Sequence, residues 1–452
     1  MSQKTTFDLG QGSIGKHLLR LALPTVAAQL INMLYNIVDR IYIGHIPEIG
    51  ATALTGVGVT FPIIMLIAAF SGLVGMGGAP LAAIRMGAQE HDEAEQILGN
   101  SFSSLCITSV ILTVFFLIFN RPLLLMFGAS QDTIEYAYSY ITIYTAGTIF
   151  VQFALGLNPY ISTQGFSTFS MATVVIGAIL NILLDPLFIF VLDLGVRGAA
   201  LATIISQAVS AVWVLKFLTG SRTNLKIRKK NLRIRAKILL PILALGISPF
   251  IMQSTESLVN IILNASLQRY GGDTAVGAMS ILNSVMQILW MTLSGLTQGA
   301  QPLISYNYGA RKIARVWAAF KLLIISTLCL SITFFLAVQI YPQGFAALFS
   351  NNQELIDKTA WGLRIFMGGT FALGAQSACQ QTFIALGQAK TSLLLALLRK
   401  VILLIPLVLI LPLFFADKVF GVFLAEPTAD LIAVTVTVTT FAIQSRKLLK
   451  QN

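Results

Sequence analysis

VVIGAILNILLDPLFIFV, residues Val174–Val191, is eighteen residues long and carries a single ionisable side chain, Asp185. That length of apolar sequence approaches the roughly 20 residues a helix needs to cross a bilayer. Asn181 and Asp185 fall one turn apart and share a face, and Pro186 frees the carbonyl one turn earlier. The stretch reads as a spanning helix with one polar face. Outward from it, Ser101–Phe119 and Leu201–Leu218 have the same character. Over all 452 residues the hydrophobic fraction is 56% and the charged fraction 11%, where a soluble domain carries about 25% charged residues. Lipid must solvate much of this chain. A transmembrane barrel would show alternating segments of about 10 residues; that alternation is absent, so the spans are helices.

Twelve spans are expected, at about 17–45, 52–86, 96–119, 133–157, 163–191 and 197–219, then 238–269, 274–308, 314–340, 355–386, 391–415 and 419–444. They make an all-α polytopic membrane protein with a six-helix lobe over 1–219, a basic linker over 220–237 and a second six-helix lobe over 238–452. The linker holds Arg222, Lys226, Arg228, Lys229, Lys230, Arg233, Arg235 and Lys237, and no acid. A net charge of +12 would suit nucleic acid, but its distribution argues against that partner. With the N-terminus in the cytoplasm, the loop cations gather inside; only Arg121, Arg197, Arg269, Lys358 and Lys418 fall outside. This is the positive-inside pattern. It puts both termini and the linker on the cytoplasmic side of a cell membrane, with lipid headgroups as a further contact for the linker. Met1–Lys16 is polar and shows no signal-peptide core, so the first apolar run is expected to be retained.

The two halves repeat. Gln29-x2-Asn32-x3-Asn36 matches Gln253-x2-Glu256-x3-Asn260, and Pro80-Leu81-x5-Gly87 matches Pro302-Leu303-x5-Gly309. Gly165 matches Gly387, and Gly198-x2-Leu201-Ala202 matches Gly421-x2-Leu424-Ala425. The offsets stay within 222–224 residues. Six spans per half is an even number, so the halves insert in the same orientation, related by an axis along the membrane normal, with a cavity between them.

No nucleophile motif, phosphate loop or zinc motif is visible. Cys106, Cys329 and Cys379 lie far apart within spans and read as small buried hydrophobes; His17, His45 and His91 lack metal-ligand spacing. No enzyme activity, cofactor or ATP-driven step is expected. The chemistry lies in polar residues at membrane depth. Thr25, Gln29, Asn32, Asn36 and Asp39 of the first span fall within an arc of about 80°, a stripe too costly to face lipid. The amides can serve as glue between helices or as ligand contacts; Asp39 reads as functional. With Asp185, Asn181 and a freed carbonyl it could hold a hard cation such as Na⁺, or one carboxylate could carry a proton. The second half has Glu256 among Gln253, Asn260 and Asn264, and the pair Glu426 and Asp430. Glu426 precedes Pro427 near a span end and is compatible with a solvated helix start. Met279, Asn283, Met286 and Trp290 form a stripe that reads as packed face or as adaptable ligand surface.

These residues resemble the multidrug and toxic compound extrusion (MATE) family over nearly the full length, its MepA-like bacterial subgroup in particular. The carrying features are Leu23-Pro24, Asn36-x2-Asp39-x4-Gly44 and Pro80-x6-Gly87, with Gln298-Gly299-x2-Pro302-Leu303, Ala385-Leu386-Gly387-Gln388 and Ala425-Glu426-Pro427-x2-Asp430 in the second half. The resemblance implies two lobes meeting in a V, alternating access, and export of cationic organic compounds against H⁺ or Na⁺. It implies an N-lobe coupling site at Asp39, Asn181, Asp185 and Thr203, where Asp39 and Asp185 are the Na⁺ ligands if Na⁺ is the ion. Relatives with a C-lobe site use a Glu on span seven, matched by Glu256, and acids on span ten, whose stretch Met367–Gln381 has none here. Gln29, Asn32, Asn36, Gln253, Glu256, Asn260, Met286 and Trp290 are the expected substrate contacts, in a monomer. The nearest rival is a lipid-linked oligosaccharide flippase, which would need a basic central cavity; Arg399 and Lys400 are its candidates. A channel would conduct without coupling, and a membrane-embedded enzyme has no constellation to support it.

Overall fold

The computed structural model describes residues 8–448, helical and without strands over that range. The first lobe comprises α1 (Ile14–Gly44), α2 (Gly50–Gly87), α3 (His91–Met126), a bent span of α4 (Ile134–Ala146), α5 (Thr148–Gly156) and α6 (Asn158–Thr163), α7 (Ser167–Pro186) with a π turn over Leu187–Val191, and α8 (Gly195–Thr219). The second comprises α9 (Ala236–Gly309), α10 (Ile313–Ile340), the short α11 (Pro342–Ala347), and α12 (Gln353–Phe366) joined to α13 (Thr370–Ala385). It ends with α14 (Ala389–Leu397), a π segment over Leu398–Leu404, α15 (Ile405–Ile410) and α16 (Lys418–Leu448).

Among the described residues nine helices are long and apolar enough to cross a membrane, or ten when the bent α4–α6 span is counted. α9, at 74 residues, would be about 110 Å long if straight, far more than one bilayer. It breaks at Gly272, whose φ of 62° and ψ of −162° only glycine adopts freely, and so supplies two spans. α12 and α13, each short alone, together supply the twelfth.

The long helices turn apolar faces outward. On α3, Ile107, Val110, Ile111, Val114 and Ile118 are exposed in one stripe, while Leu105, Ser109, Leu112 and Phe116 are buried. That is the pattern of a helix with lipid on one side and protein on the other. Cys379 is buried, but Cys329 is exposed on the outer face of α10, which corrects the reading of all three cysteines as buried.

The sequence repeat has structural causes. Gly165 and Gly387 end equivalent helices with positive φ. In each, the glycine N–H bonds the carbonyl three residues back, and the next N–H bonds the carbonyl five residues back: Gly165 to Ser162 and Phe166 to Ile161, then Gly387 to Ile384 and Gln388 to Phe383. This helix stop requires the left-handed conformation that favours glycine. Gly87 and Gly309 instead mark close approach between lobes. A Cβ on Gly87 would lie 1.9 Å from the Tyr306 carbonyl oxygen, and one on Gly309 would lie 1.9 Å from that of Ile84. Since 84 and 306 each sit three residues before their glycine, the contact is its own mirror under the pseudo-two-fold. Deeper along the same seam, Gly77 abuts the Ile242 carbonyl and Gly246 that of Leu73, while Gly299 abuts Ala22, the symmetry mate of that pair. The lobes therefore meet through α1, α2 and both arms of α9, at the end that carries the basic linker.

Candidate functional site

α1 packs against α7 and touches α8, which brings its polar stripe beside Asn181, Asp185 and Thr203. Asn181 Nδ2 donates to Asp185 Oδ1 at 3.2 Å and approaches Thr203 Oγ1 at 3.5 Å. Thr203 in turn donates to the Ala199 carbonyl one turn earlier. All three side chains are buried, Asp185 completely. The carboxyl of Asp39 lies close enough to that of Asp185 for the two to interact electrostatically. Asp39 Oδ1, Asp185 Oδ2 and Asn181 Oδ1 are buried without a donor. Two neighbouring carboxylates with orphaned oxygens repel unless a proton or a cation lies between them. Among the described residues no three His, Cys, Asp or Glu converge on a metal position. A cation here would add amide and hydroxyl oxygens to the two carboxylates, a hard-oxygen set suited to Na⁺.

Sequence reasoning missed the aromatic walls. Tyr35 adjoins Asn36 and faces both carboxylates, and Tyr140 adjoins Thr203 with Tyr144 stacked on it at 6.3 Å. Tyr35 lies one turn before Asp39 on α1, which was legible; Tyr140 and Tyr144 come from the bent fourth span, which was not.

Asn181 and Thr203 also form the floor of a cavity of about 200 Å³. Gln29, Asn32 and Tyr35 line it from α1, Asn158 and Ser162 from α6, Gln207 and Ser210 from α8, and Gln298 and Gln301 reach it from the second lobe. The lining is amide and hydroxyl with Met76, Met171 and Val174 between, and no charged side chain. Asn36 is exposed one turn beyond, donating to the Asn32 carbonyl at 2.6 Å.

In the second lobe Gln253 reaches toward Gly72 of α2, and Asn260 accepts from Asn283 at 3.1 Å. Met286 is buried in the core of that lobe. Glu256 extends into an ion cluster. Lys400 Nζ lies 2.8 Å from Glu256 Oε2. Beside it, Arg399 Nε lies 2.7 Å from Asp430 Oδ1, and Arg399 Nη2 lies 3.1 Å from Glu426 Oε1. The guanidinium carbon sits 4.8 Å above the Trp290 ring centroid. Consecutive residues 399 and 400 are both buried within a π segment, a local widening that recurs at functional positions. Glu426 is therefore buried and ion-paired, which corrects the solvated helix start. Arg399 and Lys400 are matched by three acids, so they give the cavity no net positive surface of the kind a pyrophosphate would need.

The family model described as MatE matches residues 24–187 and again 248–410, one copy per lobe. The chain is 24% identical to the multidrug export protein MepA of Staphylococcus haemolyticus over 96% of its own length and 95% of the relative's. It is likewise 24% identical to MepA of Staphylococcus aureus, over 96% of both. Among solved structures, a MATE protein in the bent conformation superposes with a TM-score of 0.93 at 23% identity, covering 100% of this chain and 99% of that one. An outward-facing MATE family transporter of the MOP superfamily gives 0.91 at 23% identity, with both chains covered in full. With the family model matching both halves and a lobe-on-lobe fold shared across its length, the chain belongs to the MatE family of membrane transporters.

Proposed function

We propose that this protein exports organic, predominantly cationic compounds in exchange for H⁺ or Na⁺, and that Asp39, Asn181, Asp185 and Thr203 form the coupling site. The observation that carries this reading is the proximity of the half-buried Asp39 carboxylate and the fully buried Asp185, each with an orphaned oxygen, beside the polar cavity. A site that must take up a cation to be stable, separated from the substrate cavity only by Asn181 and Thr203, lets occupancy by one ligand bear on the other. Substrate contacts fall to Gln29, Asn32 and Tyr35 in the first lobe and to Glu256, Gln253 and Trp290 in the second. Alternating access follows from lobes that touch along one glycine-lined seam and expose their polar faces beyond it. The lobe boundaries are 1–219 and 238–452, the basic linker and both termini face the cytoplasm, and the protein acts as a monomer in the cell membrane. The test is dye efflux from vesicles energised separately by a proton gradient and by a sodium gradient. Efflux driven by one of them supports the reading; efflux driven by neither overturns it.

A further inference from the structure

The two lobes treat the same place in opposite ways. The repeat aligns Asn32 with Glu256, Gly177 with Arg399, Ala178 with Lys400, Thr203 with Glu426 and Gln207 with Asp430. The five N-lobe members all line the open cavity, and their five C-lobe mates are the ion cluster. Where the first lobe has the two smallest side chains, and hence a cavity, the second has an arginine and a lysine that fill it. The cluster contains every part of a receptor for an organic cation: three carboxylates and the face of Trp290. Both of its cation positions are taken by the chain itself. Arg399 is deep, its side chain 3% exposed, and held by two acids and the indole. Lys400 is nearly as deep, its side chain 7% exposed, but differs in its partner. It pairs with one acid, Glu256, whose side chain is 55% exposed. A carboxylate cannot face lipid there, and its repeat mate Asn32 opens on the cavity, so Glu256 faces the space between the lobes.

We propose that the second lobe holds a self-occupied cation site in which Lys400 is a tethered competitor for Glu256. An incoming organic cation gains Glu256 only by displacing the ammonium, so Lys400 sets how strong a cation the lobe admits. This rests on the reading that cationic compounds are the substrates, and equilibrium binding separates the two. Purified protein is titrated with tetraphenylphosphonium, a permanent cation, and with triphenylphosphine oxide, a neutral analogue. Lys400→Met should tighten tetraphenylphosphonium binding roughly ten- to a hundredfold, because the charged Lys400–Glu256 hydrogen bond no longer has to be broken first, and leave the oxide unchanged. Lys400→Gln, which keeps a polar end, should shift in the same direction. Adding Glu256→Gln to Lys400→Met should abolish the gain. Wild-type binding of the cation with no tightening in either Lys400 variant would overturn the tethered competitor alone, as would equal tightening for cation and oxide. Failure of wild type and variants alike to bind the cation would overturn it together with the cationic-substrate reading.

Discussion

Asparagine at either coupling aspartate offers the sharpest test of the N-lobe site. Asp39→Asn keeps the shape of the side chain and places an amide donor where Asp185 now has an orphaned oxygen. Asp185→Asn does the reciprocal thing for Asp39. Each substitution supplies from within the protein what a proton or Na⁺ would otherwise supply. The fold should therefore hold or gain, by about the 1 kcal/mol net worth of a hydrogen bond, while the demand for a cation disappears. One charge moving through a 100 mV gradient yields about 2.3 kcal/mol, enough to sustain roughly a fiftyfold substrate ratio at about 1.4 kcal/mol per tenfold. That energy is usable only if the site binds the ion differently in two conformations. Each single variant should then let a dye gradient relax to unity in energised vesicles, with dye binding and thermal melting of the purified protein preserved. Asp39→Asn/Asp185→Asn should transport no worse than either single, because the two residues act as one unit. A variant that still builds a ratio near fiftyfold would refute the assignment and move the coupling to Glu256, Glu426 and Asp430.

In a background stripped of native cysteines, Ser221→Cys should resist an impermeant thiol reagent applied to intact cells; ready labelling would invert the topology. Arg399→Met should destabilise by about 3–5 kcal/mol, because it leaves Glu426 and Asp430 buried without a counter-charge. Pairing it with Glu426→Gln and Asp430→Asn should recover most of that loss in thermal melting, and no recovery would mean the arginine acts by packing. Gly87→Leu and Gly309→Leu should each lower the melting temperature by the equivalent of about 1–3 kcal/mol from overpacking, because each Cβ meets the other lobe's backbone. Gly58→Ala, in open space, should be neutral or stabilising; equal effects at all three would remove the seam from consideration.

Much of this architecture was legible because membranes restrict the choices. Apolar length fixes spans, and the repeat fixes their grouping, down to Gly165 and Gly387 as equivalent helix stops. The stripe of α1 was legible for the same reason: no amide row survives against lipid. What could not be read were pairings across space. Charges in the second lobe were visible as Glu256, Arg399, Lys400, Glu426 and Asp430, but nothing in the linear order says that Lys400 meets Glu256 144 positions away. The π segment in which residues 399 and 400 are both buried has no periodicity to announce it. Met286 illustrates the converse: a methionine stripe looks the same whether it faces a ligand or, as here, the core.

The unequal lobes bear on how one ion could be coupled to one substrate. If both lobes kept an open acid site, two cations could enter and the exchange ratio would be loose. Here Arg399 and Lys400 stand in the second lobe at the positions of Gly177 and Ala178, and they offset two of the three neighbouring acidic charges. That lobe carries two cations of its own against three carboxylates, so its need of one from solution is smaller than that of the first lobe, though Asp430 Oδ2 is still without a donor. In the first lobe, among the described residues, no basic side chain forms an ion pair with Asp39 or Asp185, although Arg40 beside Asp39 acts on it at longer range. Duplication made the two sites, and two side chains on one helix made them different. On the proposed reading, uptake of a coupling cation falls to Asp39 and Asp185, and discrimination among substrate cations to Glu256 and the lysine paired with it.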